Sequence, residues 1–233
     1  MAALRQRRQR PLPGVTVNID AAAVWVSSQQ PLAVLSSAVV GGGFGRTRHI
    51  VNMHVDDRYD GVRPQDDLAA FASRIGVREP FVGLMTAAQT EFACLRVEAH
   101  AGLTVAAAVS MGLANPECAG VTGPLPVRCG TINAIVLIDA ALTRAAMVNA
   151  VITVTEAKTM VLGEWDVRVG DGPRASGTST DSVVIACTQR GERLRYAGPL
   201  TIVGWLAARA VREAINQLCE EKRERDGGQR LGW

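Results

Sequence analysis

The stretch from Leu142 to Trp165 reads as one long helix that is apolar around most of its circumference, and this restricts the fold more than any other feature of the chain. A helix with almost no wet face has to be covered from several directions. Its natural setting is a layered protein in which strands and further helices pack around it. At 233 residues the chain is long enough to enclose one sizeable core.

Strands to build such layers are plentiful. In the first third, Val15 to Ile19, Ala23 to Ser27, Leu32 to Val40 and His49 to Val55 are short apolar or β-branched runs divided by turn-formers, the pattern of an antiparallel meander. Gln65 to Ile75 has helical spacing, with Leu68, Phe71, Ala72 and Ile75 on one face and Asp66 and Asp67 near its positive end. Further strands are expected at Phe81 to Thr86, Glu91 to Glu98, Leu103 to Val109, Ile132 to Asp139 and Ser182 to Cys187, and a last helix at Leu200 to Leu218. The expected fold is α/β, a layered, mixed and partly antiparallel β-sheet with packed helices, in a single domain over residues 15–219. Residues 1–14 are expected to be a disordered basic arm and residues 220–233 a charged flexible tail. The link from Gly112 to Gly130 is long and irregular, a candidate lid.

The net charge of +3 is concentrated in the arm, where Arg5, Arg7, Arg8 and Arg10 lie, so the body is close to neutral. The arm has no interleaved aromatics and no amphipathic pattern, and neither nucleic acid nor membrane is expected as a partner. The basic start runs into Pro11, Pro13 and Gly14, with no continuous apolar segment of the kind a secretory leader needs. No apolar run reaches the roughly 18 residues of a spanning helix. A cytoplasmic protein is the expectation. The five cysteines are scattered, without the close pairs of zinc or redox motifs. Cys94 and Cys187 read as core fillers, whereas Cys118 and Cys129 bracket a Gly/Pro loop. No metal or other cofactor is expected, and the sequence leaves a homo-oligomer open.

Three polar signatures interrupt the apolar second half: Gly130-Thr131-Ile132-Asn133, Thr155-Glu156-Ala157-Lys158 and Gly177-Thr178-Ser179-Thr180-Asp181. Each sets hydroxyl or ionisable groups beside an apolar strand or helix, where burial without partners is costly. Lys158 stands out because the chain is rich in arginine and its only other lysine is Lys222. A compact ammonium serves chemistry that a guanidinium does not. On the long helix, Asn149, Thr153 and Glu156 share a narrow stripe and Lys158 falls on the far side, so Glu156 and Lys158 each need a partner of their own. The glycine run Gly41-Gly42-Gly43-Phe44-Gly45 lacks the strand-to-helix setting of a phosphate loop. It reads as a hairpin, a bulge, or a place where a bulky ligand approaches bare backbone.

The order of these motifs resembles the adenosylcobinamide amidohydrolase family of corrinoid-salvage enzymes. The resemblance runs from about Leu35 to Ile215 and rests on Ser36-Ser37-Ala38, Gly41-Gly42-Gly43, Asn52, Gly83-Leu84-Met85-Thr86-Ala87-Ala88, the three polar signatures, and Tyr196-Ala197-Gly198. The chain departs from the family pattern at Ser110-Met111-Gly112-Leu113-Ala114-Asn115-Pro116. The resemblance implies hydrolysis of the amide that joins the aminopropanol arm to the corrin ring, with a corrinoid as the small-molecule partner.

Amide hydrolysis needs an activated nucleophile, donors for the oxyanion and an acid for the departing amine. The groups available point to a water or hydroxyl nucleophile activated by Glu156 or Asp181, with Lys158 at the oxyanion or the leaving amine. Thr131, Asn133, Thr178 and Thr180 are expected to bond the substrate's amides, together with Ser36, Ser37, Asn52 and Thr86 from the matching runs. Gly42, Gly43 and Phe44 would supply bare backbone and an apolar anchor, with Trp165 a second anchor or a packing residue. The alternative for Glu156, Lys158 and Asp181 is a set of structural caps and buried pairs. Histidine offers a different base: His54 shares a strand face with Asn52 while His49 points to the other side. Self-cleavage before Thr131 or Thr178 is a further option, since an N-terminal threonine can act as its own base. A binding module without catalysis, or an amidase for another substrate, would use the same pocket.

Overall fold

A computed structural model of the chain describes residues 6–124, 130–228 and 231. Arg5, Cys129, Trp233 and the part of the Gly112 to Gly130 link over residues 125–129 lie outside the described residues. In chain order the elements are β1 (Arg7–Leu12), β2 (Val15–Ile19), β3 (Ala23–Ser36), β4 (Gly43–His54), α1 (Pro64–Arg74), β5 (Val82–Thr86), β6 (Cys94–His100), β7 (Leu103–Met111), β8 (Pro116–Glu117), β9 (Ile132–Ile138), β10 (Ala141–Leu142), α2 (Arg144–Glu164), β11 (Gly177–Thr178), β12 (Ser182–Cys187), β13 (Arg193–Leu194) and α3 (Ile202–Arg225).

The organising strand is β3, which is long enough to serve two neighbours along one edge. Val24–Ser28 pair with β2, Ala33–Ser36 pair with β12, and β4 runs antiparallel to both halves of the opposite edge. From this branch one arm of the sheet continues through β4 to β5, and the other through β12, β9 and β7 to β6. The arms fold over each other. Side chains alternate along a strand, so Ile135 and Leu137 of β9 and Val184 of β12 meet Val24, Val26, Ile50 and Leu84 of the other arm between the two layers. The alternate set, Ile132, Ala134, Val136 and Ile138, faces Ala150 and Val154 of α2 and Leu206 and Ala210 of α3. On the outer side of β4, Val51 and Met53 receive Leu68 and Phe71 from α1. The result is a layered mixed α/β sandwich, helix, sheet, sheet, helix.

The α2 helix occupies the place its composition demands. Thr143 caps it by accepting from the Ala146 N–H at 3.1 Å, and Ala150, Val154, Val161 and Leu162 are buried. Each fully buried valine or leucine among these stabilises the fold by about 1.5–3 kcal/mol. By length and composition α2 could cross a membrane, and half of its most apolar window is buried within the protein.

Several boundaries differ from those expected. Ala23 to Ser27 and Leu32 to Val40 merge into β3, because a register shift between Ser27 and Leu32 absorbs the interruption without ending the strand. Arg7–Leu12 is a strand and not part of a disordered arm: it pairs with β2, and the Arg7 guanidinium donates to the carbonyls of Glu91 and Ala93, both at 2.7 Å. The tail is helical through Arg225. Charges that suggested fraying instead pair one turn apart, Lys222 with Asp226 at 2.7 Å, and Arg225 lies over the Phe92 ring. Within the Gly112 to Gly130 link, β8 pairs antiparallel with β11.

Candidate active site

Parallel strands β9 and β12 begin side by side, Ser182 opposite Asn133, and the residues just before them hold the polar signatures. Helix α2 returns along the same strands so that its C-terminal turns reach this end. The signatures therefore meet. Lys158, 9% exposed, forms an ion pair with the Asp181 carboxylate, whose two partners have side chains only 11% and 14% exposed. The same carboxylate accepts from the Thr178 hydroxyl, from the Thr178 N–H at 3.1 Å and from the Ile132 N–H at 2.9 Å. An isolated charge buried to this degree would be unstable, and this one is matched by a cation and by several donors.

Gly177 makes the arrangement possible. A Cβ there would stand 2.6 Å from Lys158 Nζ and closer still to Asp181 Oδ2. Only bare backbone passes between the ion pair and the loop. A comparable contact exists at Gly130, whose left-handed φ of +142° sets its Cα against the side chain of Asn115. Asn115 in turn donates to Ser179, so the irregular link is stitched to the loop before Asp181.

The group opens into a cleft of about 550 Å³ lined by Glu117, Cys118, Thr155, Lys158, Thr178 and Asp181, among others. Thr178 is partly exposed and Ser179 and Thr180 are exposed at this margin. A second cavity of about 380 Å³ lies beyond Gly130 and takes in Met111, Gly112 and Leu113. Among the described residues no three His, Cys, Asp or Glu side chains gather as metal ligands.

Other expected site residues fall in different places. Glu156 is exposed on the outer face of α2 and does not line the cleft, since two residues of helix turn it away from Lys158. Asn52 and Asn133 are each 1% exposed and bonded to protein: Asn133 Nδ2 donates to Asn52 Oδ1 at 2.8 Å and to the Met85 carbonyl at 2.9 Å. Asn52 Nδ2 donates to Ser110 Oγ at 2.8 Å. Thr131, also buried, donates to the Thr180 carbonyl at 2.7 Å and lies 3.1 Å from Asn133 Oδ1, while the Thr180 hydroxyl donates to the Gly130 carbonyl at 3.1 Å. Thr86 accepts from the Ala88 N–H at 3.0 Å and is buried. Ser36 Oγ accepts from the Ala38 N–H at 2.9 Å, and Ser37 Oγ from Val183 N–H at 3.1 Å, so both shape the turn after β3.

Gly42 and Gly43 complete that turn: a Cβ on Gly42 would lie 2.8 Å from the Ala38 carbonyl oxygen, and Gly43 has φ +81°. Phe44 is exposed under the Arg144 guanidinium, 5.2 Å away. Arg144 and Lys158 are fourteen residues apart on α2, about 21 Å along its axis. Trp165 packs at the end of α2, donating to Asn216 at 2.9 Å. His49 lies on the side of β4 away from Asn52, and burial lowers its pKa below 6.5 against the opposing pull of Glu79. His54 sits with Nδ1 3.0 Å from the Ala88 carbonyl, away from the cleft lining. Burial pushes the thiols of Cys187 and Cys219 up to about 12, whereas Cys118 stands on the cleft wall.

Ser110 and Asn115 are not among the residues the sequence nominates for the site. Their one signal is the departure from the family pattern at Ser110 to Pro116, a stretch that holds both.

Comparison with known proteins identifies the family. The chain is 29% identical over 188 residues, 77% of its length and 86% of the relative's, to an adenosylcobinamide amidohydrolase of Methanosarcina mazei. It is 36% identical over 118 residues, 48% of each chain, to an adenosylcobinamide amidohydrolase of Halobacterium salinarum. Among solved structures, a Burkholderia sp. beta-aminopeptidase superposes with TM-score 0.48 at 16% identity, covering 91% of this chain and 88% of that one. The adenosylcobinamide amidohydrolase family profile matches residues 11–227, and the chain belongs to that family.

Proposed function

We propose that the protein hydrolyses the amide bond joining the aminopropanol arm to the corrin ring of adenosylcobinamide, giving adenosylcobyric acid for cobalamin salvage. Family membership supports the reaction, and the observation that carries the site is the Lys158–Asp181–Thr178 group on the cleft wall. Asp181 accepts the proton of the Thr178 hydroxyl as that oxygen attacks the amide carbonyl. The C–N bond then breaks, the amine leaves with the proton that Asp181 took, and water cleaves the resulting ester to free the acid and Thr178. Lys158 keeps the carboxylate oriented and offers positive charge to the oxyanion. A cleft of about 550 Å³ suits one amide arm with its attachment to the ring edge, leaving the rest of the macrocycle at the mouth.

The test is incubation of the purified protein with adenosylcobinamide, with mass detection of adenosylcobyric acid and aminopropanol. Thr178→Ala and Asp181→Asn are expected to stop product formation and Thr178→Ser to retain part of it. Near-normal turnover by Asp181→Asn and Lys158→Met would remove this assignment. Cobinamide binding without release of aminopropanol would instead identify a binding module.

A further inference from the structure

Between the two sheet arms the facing side chains are apolar through the middle, and one end carries a fully buried polar set. On the inner face of β9, Ile135 and Leu137 lie in the apolar interlayer, yet Asn133 stands next in the same row. It meets Asn52 from β4 and Ser110 from β7, and all three are no more than 2% exposed. A buried polar set of this kind is costly unless fully bonded, and apolar side chains of similar shape would serve stability as well or better. A role beyond packing is visible in where its bonds lead.

We infer that Asn133 and Asn52 are positioning residues that act through Thr131 on Asp181. Both donor hydrogens of Asn133 are spent, on Asn52 Oδ1 and on the Met85 carbonyl, so its side-chain oxygen is left facing Thr131. Asn52 is itself oriented by its bond to Ser110. The Thr131 hydroxyl shares its one proton between two acceptors, Asn133 Oδ1 at 3.1 Å and, at 2.7 Å, the carbonyl of Thr180, the peptide group that leads into Asp181. The neighbouring Ile132 N–H holds the Asp181 carboxylate. One residue row therefore fixes both the backbone and the side chain of the proposed base. Asn133 and Asn52 are not among the residues lining the cleft, and in this inference they position the base and do not bind the substrate.

The inference rests on the proposed role of Asp181, and kinetics separate the two. For Asn133→Ala and Thr131→Val we expect kcat to fall roughly tenfold to a hundredfold, the scale of a small misplacement of a reacting group. KM should stay within about twofold, because no substrate contact is lost. The double variant should be no slower than the slower single one, and Thr131→Ser should restore most of the rate. A raised KM with unchanged kcat, multiplied losses in the double variant, or full kcat in Thr131→Val would each overturn the positioning role. Should Asn133→Ala fail to fold, the Thr131→Val and Thr131→Ser pair decides the matter alone. Normal turnover in Asp181→Asn sinks the catalytic reading itself, whereas an inactive Asp181→Asn beside a fully active Thr131→Val sinks only this inference.

Discussion

At each end of strands β9 and β12 an aspartate pairs with a cation, and the two ends have become different things. At the far end Asp139 accepts from the Thr188 hydroxyl at 2.8 Å and pairs with Arg190 at 2.7 Å. At the near end Asp181 accepts from the Thr178 hydroxyl and pairs with Lys158. The chemical parts are alike, carboxylate, hydroxyl and cation. Exposure is not: the Arg190 side chain is 49% exposed and that of Lys158 11%. In water the first pair is screened and contributes little. The second is desolvated, supplied with backbone donors and placed on a cleft wall, the setting in which the proposed reaction would use its charges.

The contrast is sharpest in catalysis. Asp181→Asn is expected to lower turnover of adenosylcobinamide by roughly a thousandfold or more, while Asp139→Asn should stay within about twofold of the parent. Equal losses in both would erase the distinction. Next comes the cation. Lys158→Met leaves a buried carboxylate unpaired and should cost about 3–5 kcal/mol in denaturant unfolding, against less than about 1 kcal/mol for Arg190→Met. Lys158→Arg should not restore activity, because the planar guanidinium has no room where Gly177 backbone abuts the ammonium. Gly177→Ala should reduce kcat by about tenfold or more by pushing the loop off the ion pair, and a fully active variant would show that the close approach is unimportant.

The smallest effect is expected at His49, a titrating group outside the cleft. Burial lowers its pKa from 6.5, so the unfolded chain binds the proton more readily than the folded one. Its contribution to stability is complete above pH 6.5 and is lost as pH falls through the lower folded value. His49→Gln should flatten that decline and keep kcat within about threefold. A large loss of kcat would move the chemistry away from the Asp181 end.

Much of this was legible in the chain. Short apolar and β-branched runs located β2, β5, β7, β9 and β12 to within a residue or two, and the spacing on α2 already put Glu156 and Lys158 on opposite sides. What spacing could not decide was which side faces the cleft, because the exposed and buried faces of α2 are almost equally apolar. Glu156 and Asp181 were equal candidates for the base until packing left one in water and the other beside Lys158. The structure bonds Asn52 and Asn133, expected as substrate contacts, to protein groups: an amide in an apolar strand reads identically whether it bonds a ligand or another strand.

The sequence by itself determined the layered class, the long buried helix and the family, since these follow from residue periodicity and from motifs in order along the chain. Tertiary structure alone decided that residues 131, 158, 178 and 181 gather at one end of the sheet, that Asn115 bonds Ser179 beside them, and that Ser110 bonds Asn52. Those contacts depend on β9 and β12 starting side by side and on the direction in which α2 returns. Such pairing is a property of three-dimensional packing between segments distant in sequence, which no local pattern encodes.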